Sequence, residues 1–370
     1  ARLDAGLLTP EQALQEILKQ CGPERIPKRR EDSAPLSISW AESTRRIFSG
    51  QSDSLENLPV RVVCAGNEHE AFQLLLASQE TIENISWKLE PLQDEAGVSF
   101  PTIVYAQIDT AIDKPLVANE AGLYPNALNE IERFDLFPGK PIRLWVDIFV
   151  PPTVPAGDHN LNIALVNAEG PLANIPVSLK TLPFTLPSSP SQPAVIGLDY
   201  DRIARHYNLE KESEAGRKLM ESFYWFLVER RLAPYQPPAP LHSPVMGKYL
   251  TDNRVSSCRI PFPPSEKSYD SILELGKKGG WLDKLFVYFI DEPTYHQFPA
   301  VVETGKQIHS RGHPKFLVTC FPEEPLIGSV DIWCIHLSFL PVGIPHSSAD
   351  RREYLERVRR RQAAGEEVWW

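Results

Sequence analysis

Asp291 and Glu292 are adjacent carboxylates followed at once by Pro293. Two acids side by side suit acid/base work, in which one delivers a proton while the other holds negative charge near a developing cation. Hydrolysis of a glycosidic bond is the reaction class that uses such a pair most directly. The acids come straight after Leu285-Phe286-Val287-Tyr288-Phe289-Ile290, an unbroken apolar run rich in aromatic and β-branched residues. Such a run reads as a strand buried on both faces, as in a parallel sheet. Pro293 stops it, because proline brings no N–H to the ladder. The pair is therefore expected at the carboxyl end of a buried parallel strand. In (β/α) barrels that end carries the active site.

Neighbouring residues on a regular strand point to opposite faces. Asp291 and Glu292 can converge on one ligand only if the strand has already ended, which Pro293 favours. A conventional retaining pair stands roughly 5–5.5 Å apart across the scissile bond. Carboxyls this close also push their pKa values apart, so that one carries the proton. The plainer alternative is an Asp-Glu-Pro that merely caps the helix to come.

Aromatic residues should accompany the acids. Tyr288 is four residues before Glu292 and shares its strand parity, so both are expected to face one interior. Trp333 and His336 stand at the end of a later strand, Trp369 and Trp370 at the end of the last, and Tyr235 at the end of an earlier one. These groups suit stacking on a sugar face and hydrogen bonding to its hydroxyls. Core packing is the competing role for each aromatic, and a structural role for a lone histidine. Asp199 and Asp331 are further carboxylates, and Asp331 fits better as a partner for a backbone group or an arginine.

The positioning elements change character along the chain. Residues 1–36 read as a peripheral arm with a short helix opening at Thr9-Pro10. Over 37–182 the pattern is β, with short strands at 59–65, 72–76, 85–89, 142–150, 159–166 and 175–179 separated by Gly, Pro and Asn turns. That composition predicts a β-sandwich. Residues 183–193 have the Pro/Ser composition of a linker. From 194 to 370 short apolar runs alternate with helical patterns, which predicts a parallel sheet. One helix is expected over 210–229, with Leu219, Phe223, Phe226 and Leu227 on its buried face. Seven strands are expected after the linker, and a closed barrel needs eight. The fold class is multi-domain β plus α/β, a sandwich followed by a (β/α)8-type barrel that stops before its eighth strand.

Composition excludes several roles. A net charge of −10 and the absence of a basic stripe argue against nucleic acid. The one basic run, over 351–361, alternates with Glu353 and Glu356 and reads as a solvated helix face. No stretch is long and apolar enough to span a bilayer. Cys21, Cys64, Cys258, Cys320 and Cys334 are odd in number and match no zinc or redox spacing, so buried free thiols are expected. His309 and His313 sit at a helix end and read as a cap, not as metal ligands. No phosphate loop, G-x-S-x-G elbow, H-E-x-x-H or dinucleotide fingerprint is present. No cofactor and no metal are expected. The free cysteines lean intracellular. A chain that begins at Ala1 with no visible signal leaves secreted and periplasmic locations open.

Several segments together resemble glycoside hydrolase family 123, the β-N-acetylgalactosaminidase family, and the wider group of proteins sharing its catalytic domain. Ala65-Gly66-Asn67-Glu68-His69-Glu70-Ala71-Phe72-Gln73-Leu74 is similar to that group's "NE-x-E-x-FQ" strand. Leu123-Tyr124-Pro125-Asn126-Ala127-Leu128 resembles its "YPDPL" loop, with Asn126 where aspartate is usual. Leu144-Trp145-Val146, Val150-Pro151 and Pro155-Ala156-Gly157 resemble its "LWV…VP…PAG" hairpin. Asp291-Glu292-Pro293, Val330-Asp331-Ile332-Trp333 and Glu367-Val368-Trp369-Trp370 match its barrel motifs. The likeness runs from about residue 37 to Trp370, where the family continues into an eighth strand.

The resemblance implies retaining, substrate-assisted hydrolysis of β-linked 2-acetamido-2-deoxyhexosides. The sugar's own acetamido carbonyl would attack its anomeric carbon. Glu292 would protonate the leaving oxygen and later deprotonate water, and Asp291 would orient the acetamido N–H. The partner expected is a carbohydrate substrate. The open seam between the first and seventh strands invites a second copy or a complementing chain. A glycan-binding protein with a degenerate or truncated barrel is the alternative, and a docking scaffold a third.

Overall fold

Residues 36–48, 55–91, 98–112, 122–260, 262, 266–312, 314–336 and 348–369 are described by the computed structural model. The arm expected over 1–36 lies outside them except for Leu36, as do Cys21, His313 and Trp370. The chain is mostly β and divides into two units, Ala1–Leu186 and Pro187–Trp370. No helix among the described residues is long and apolar enough to cross a membrane.

The first unit is built from β1 (Leu36–Glu42), β2 (Val60–Gly66), β3 (Glu68–Ser78), β4 (Ile82–Pro91), β5 (Thr102–Ile112), β6 (Gly122–Glu130), β7 (Arg133–Leu136), β8 (Ile142–Val150), β9 (Gly157–Asn167) and β10 (Gly170–Thr185). They form two five-stranded sheets, β1-β3-β8-β5-β6 and β2-β10-β9-β4-β7. Both sheets feed one core. Leu74, Leu144 and Val146 enter it from the first, and Ile163, Ile175 and Leu179 from the second. Each apolar side chain of this size withdrawn from water contributes roughly 1.5–3 kcal/mol.

Five of the six strands read from the sequence fall within β3, β4, β8, β9 and β10, and the sixth, 59–65, overlaps β2 but for Pro59. Strands β1, β5, β6 and β7 were not expected. Pro125 makes β6 read as a loop, yet β6 is an edge strand, where a missing N–H costs no ladder bond. β10 also runs past the expected end at Leu182 to Thr185. Asn67 turns the chain between β2 and β3 with φ at 59°, a left-handed conformation that asparagine tolerates better than most residues. Gln73 is buried and donates to the carbonyls of Glu42 and Arg45 at 3.0 and 2.5 Å. In this chain the residues matching the first quoted motif thus hold a turn and a loop in place.

Among the described residues the second unit places seven short strands in chain order: β11 (Val195–Ile196), β12 (Ala233–Pro234), β13 (Cys258–Ile260), β14 (Leu285–Tyr288), β15 (Lys315–Val318), β16 (Ile332–Cys334) and β17 (Glu367–Trp369). Every pairing is parallel. β11 and β12 form one sheet and β13 to β17 another. One backbone bond from Arg259 N to Tyr235 O, at 2.6 Å, links them. Among the described residues β11 and β17 each have a ladder partner on one side only. The segments between the strands carry α1 (Tyr200–His206), α2 (Glu214–Glu229), α3 (Met246–Leu250), α4 (Glu266–Gly279), α5 (Phe298–His309) and α6 (Ser348–Ala363).

Strand alternation divides the second unit's side chains between two cores. Leu285, Val287, Phe316, Val318 and Trp333 pack with the helices. Phe286, Leu317 and Ile332 form the other face, with Val195, Tyr235, Tyr288, Cys334 and Trp369 against them. Helix α2 corrects one expectation. It starts at Glu214 with Ser213 as N-cap, and it buries Met220, Tyr224 and Val228 rather than Leu219, Phe223, Phe226 and Leu227. Spacing by four puts those three on one stripe, and the Tyr224 ring meets Tyr249 edge-on at 5.1 Å. Phe226 stays exposed under the Arg230 guanidinium, 3.7 Å from its ring centre. Helix α6, the basic run, buries Val358 and spends Arg357 on the Pro322 carbonyl and Arg361 on Glu366.

Candidate active site

Strand β14 ends at Tyr288, two residues earlier than the apolar run predicts. Phe289 is already partly exposed and Ile290 half-buried, and Glu292 has φ at 41°. The ladder has therefore ended before the acids, as their convergence requires. The parity argument from Tyr288 to Glu292 fails for the same reason, since period-two alternation stops with the strand. Tyr288 meets the other acid: its hydroxyl donates to Asp291 Oδ1 at 2.5 Å.

Thr319, one residue past β15, completes the arrangement. Its Oγ1 donates to Asp291 Oδ1 at 2.8 Å and accepts from Glu292 N at 2.7 Å. Donation by Tyr288, then by Thr319, holds the Asp291 carboxyl below the usual carboxylate range. Burial, together with the bond to Asp291, pushes the Tyr288 hydroxyl up. Asp291 is thus an anion held by neutral donors. Asp291 and Glu292 are both exposed, at the carboxyl end of the parallel sheet.

Half-buried aromatics floor the site. The Tyr235 ring lies 6.3 Å from Tyr288 and 6.4 Å from Phe286, and Phe286 meets Trp369 edge-on at 5.5 Å. Arg259 holds this floor. It donates from Nη2 and Nε to the Tyr288 carbonyl at 3.1 and 3.3 Å. Its guanidinium carbon lies 5.1 Å from the Tyr288 ring centre and 5.5 Å from that of Tyr235, within cation–π range. Burial raises the Tyr235 hydroxyl, opposed by the Arg259 charge. Burial also raises the Cys334 thiol, and the charge of Asp291 adds to it.

The structure thus brings Asp291, Tyr288, Tyr235 and Trp369 to one end and face of the sheet, with Glu292 next to Asp291 in the chain. Trp369 spends its indole N–H on Glu367 Oε2 at 2.9 Å. His336 is exposed just beyond β16, and Trp370 lies outside the described residues. Trp333 is a correction. It is wholly buried in the helix-side core, with Nε1 donating to Glu366 Oε2 at 2.5 Å. Alternation explains this, since Ile332 on one side and Cys334 on the other take the site face. Trp333→Phe is expected to cost about 1–3 kcal/mol in urea unfolding, because Glu366 Oε2 loses its indole donor and keeps only Arg361 on Oε1. Ligand binding at the acid pair should stay unchanged; weaker binding at unchanged stability would return Trp333 to the site.

Neither spare carboxylate is free for the chemistry. Asp199 caps α1 by accepting from Arg202 N at 2.9 Å. Asp331 precedes β16 at the opposite, amino end of the sheet, where it accepts from Phe316 N at 2.7 Å and meets His309 Nε2 at 2.9 Å. Among the described residues no group of three or more His, Cys, Asp or Glu is placed to hold a metal ion. A cleft of about 580 Å³ is lined by Tyr200, Glu221, Gln236, Pro238 and Tyr249, among others, but by neither acid. Sequence reasoning missed Thr319 and Arg259. Each acts across the sheet on another strand's residues, and no local pattern marks such a contact.

No family model and no curated protein matches the chain. Among solved structures, a FixG-related protein from Vibrio parahaemolyticus aligns with 40% of this chain and 96% of its own at 10% identity, with a TM-score of 0.21. A PapD-like domain of human CEP192 aligns with 43% of this chain and 92% of its own at 11% identity, with a TM-score of 0.19. Likenesses that low do not bear on the fold. A family 123 glycoside hydrolase from Clostridium perfringens, studied for glycolipid glycan hydrolysis, aligns with 90% of this chain and 71% of its own at 15% identity, with a TM-score of 0.60. The chain therefore shares its fold with a family 123 glycoside hydrolase.

Proposed function

We propose that this chain is a glycoside hydrolase-like protein acting on β-linked 2-acetamido-2-deoxyhexosides, N-acetylgalactosaminides among them, by substrate-assisted retaining hydrolysis. One observation carries the proposal: Asp291, beside Glu292 at the carboxyl end of a parallel sheet, is clamped as an anion by two hydroxyl donors. An ionised Asp291 suits orienting the acetamido N–H and supporting the positive charge of a cyclised intermediate. It is poorly suited to giving up a proton. That task falls to Glu292, which protonates the leaving oxygen and then takes a proton from water. The sugar's own carbonyl replaces an enzyme nucleophile, which fits the engagement of Asp199 and Asp331 elsewhere.

The finer architecture belongs to the same proposal. The two five-stranded sheets are read as a β-sandwich domain, and the seven parallel strands among the described residues as part of a (β/α)8-type barrel. β11 and β17, each with a ladder partner on one side only among those residues, offer edges suited to a second copy or a complementing chain. The exposure of both acids favours a second reading, a glycan-binding protein that does not cleave.

A panel of aryl glycosides separates the two. Release of the aryl group is expected from β-linked 2-acetamido-2-deoxy sugars and not from their 2-hydroxy counterparts, which lack the internal nucleophile. Saturable binding without release on every member would favour the binding protein.

A further inference from the structure

Thr319 touches both acids at once. A threonine hydroxyl has one proton to give, whereas a backbone N–H can only donate. The directions are therefore set: Glu292 N donates to Oγ1 at 2.7 Å, and Oγ1 donates to Asp291 Oδ1 at 2.8 Å. Tyr288 gives its proton to the same oxygen at 2.5 Å. Oδ1 is thus occupied twice, the adjacent Glu292 N–H also lowers the Asp291 pKa, and no side chain among the described residues donates to Oδ2. Glu292 sits at φ 41°, a backbone conformation that is strained for a non-glycine residue and persists only where its surroundings hold it. The bond from its N–H to Thr319 is such a hold.

We propose that Thr319 is the positioning residue for both acids, pinning Asp291 by Oδ1 so that Oδ2 alone faces the ligand, and holding Glu292 in its left-handed turn. This rests on the function proposed above and sharpens its specificity. One carboxylate oxygen without a side-chain donor suits a ligand with a single N–H donor, such as a secondary amide beside a carbon that becomes positively charged. A 2-hydroxy sugar also offers one donor there but no carbonyl to cyclise.

Thr319→Val keeps the shape and removes the hydroxyl; Thr319→Ser restores it. In the valine variant kcat/KM on a 2-acetamido aryl glycoside is expected to fall about tenfold to a hundredfold, mostly in kcat, the scale of a lost hydrogen bond to a charged group. The serine variant should recover most of it. The pH profile gives a readout that general loosening would not. Asp291 titrates among Glu292, Tyr288, Tyr235, Cys334 and the Arg259 cation. Its depressed pKa keeps it charged until pH falls through that value, so loss of a donor should make activity fail at a higher pH. Carboxyl-carbon NMR of Asp291 should show the same upward move in the valine variant and its reversal in the serine variant. An unmoved titration in Thr319→Val, or a serine variant as impaired as valine, overturns the inference. The titration needs no turnover, so wild-type protein inert on every glycoside would count against the proposed function while the role of Thr319 is still decided.

Discussion

Glu292→Gln is expected to slow hydrolysis of 2-acetamido glycosides with sugar or alkyl leaving groups by roughly 10²–10⁴-fold, the range supplied by a positioned general acid. Activated aryl glycosides should lose far less in the first step, because a phenolate-like oxygen departs without a proton. They should then stall at the second step, where the same carboxylate must take a proton from water. A burst of released aryl group followed by a slow phase is therefore the signature. Glu292 is exposed, and glutamine preserves its length and its backbone N–H to Thr319. Stability should stay within about 0.5 kcal/mol of wild type, as for ordinary surface changes. Equal loss on good and poor leaving groups, with no burst, would assign the proton to another residue.

Asp291→Asn is expected to behave differently. The positive charge of the cyclised intermediate needs support whatever leaves, so both substrate classes should slow together. Loss of such a preorganised electrostatic partner costs roughly 10²–10³-fold in kcat. Asparagine can still accept a hydroxyl proton at its one oxygen, but it cannot offer an anionic oxygen to the acetamido N–H. Tyr288 and Thr319 would also lose the charge that now orders their protons. The pH dependence follows with a definite sign. A depressed Asp291 pKa keeps wild-type activity until the medium is acid enough to protonate it, and the asparagine variant should lack that acid limb. A silent Asp291→Asn would falsify substrate assistance. An ordinary double displacement would then need another nucleophile. Asp199 and Asp331, spent on a helix cap and on the far end of the sheet, could serve only after rearrangement.

Much of the site could be read in the chain because its signals are local. An apolar run, two acids and a proline are contiguous, so the strand and the acids beyond it are marked locally, although β14 ends at Tyr288, ahead of Pro293. Parallel strands alternating with helices in the second half were legible for the same reason, through short apolar runs between helical patterns. Legibility failed where a side chain's role depends on what lies across the sheet. Trp333 and Trp369 look alike in the sequence, both tryptophans at strand ends. One is buried under the helices and the other lies on the site face, because Trp333 pairs with Val368 and Trp369 with Cys334, so the two tryptophans have opposite parity. The stripe on α2 failed by one residue, since Leu219 and Met220 are equally apolar and packing chose Met220. β6 went unseen because Pro125 argues against a strand unless that strand is known to be an edge.

From its residues alone the chain determined that it would alternate strand and helix in its second half, that a strand would start at Leu285, and that two carboxylates would stand beyond its carboxyl end, though not that the strand would stop at Tyr288. These follow from backbone chemistry and period-two burial, which act within a few residues. Tertiary structure decided which acid is held as an anion. Tyr288 ends β14 and Thr319 follows β15, and the two reach a common oxygen of Asp291 only when β14 and β15 pair in register at Tyr288 and Leu317. A pKa is set by donors and charges within a few ångströms in space, and a linear sequence does not carry that distance.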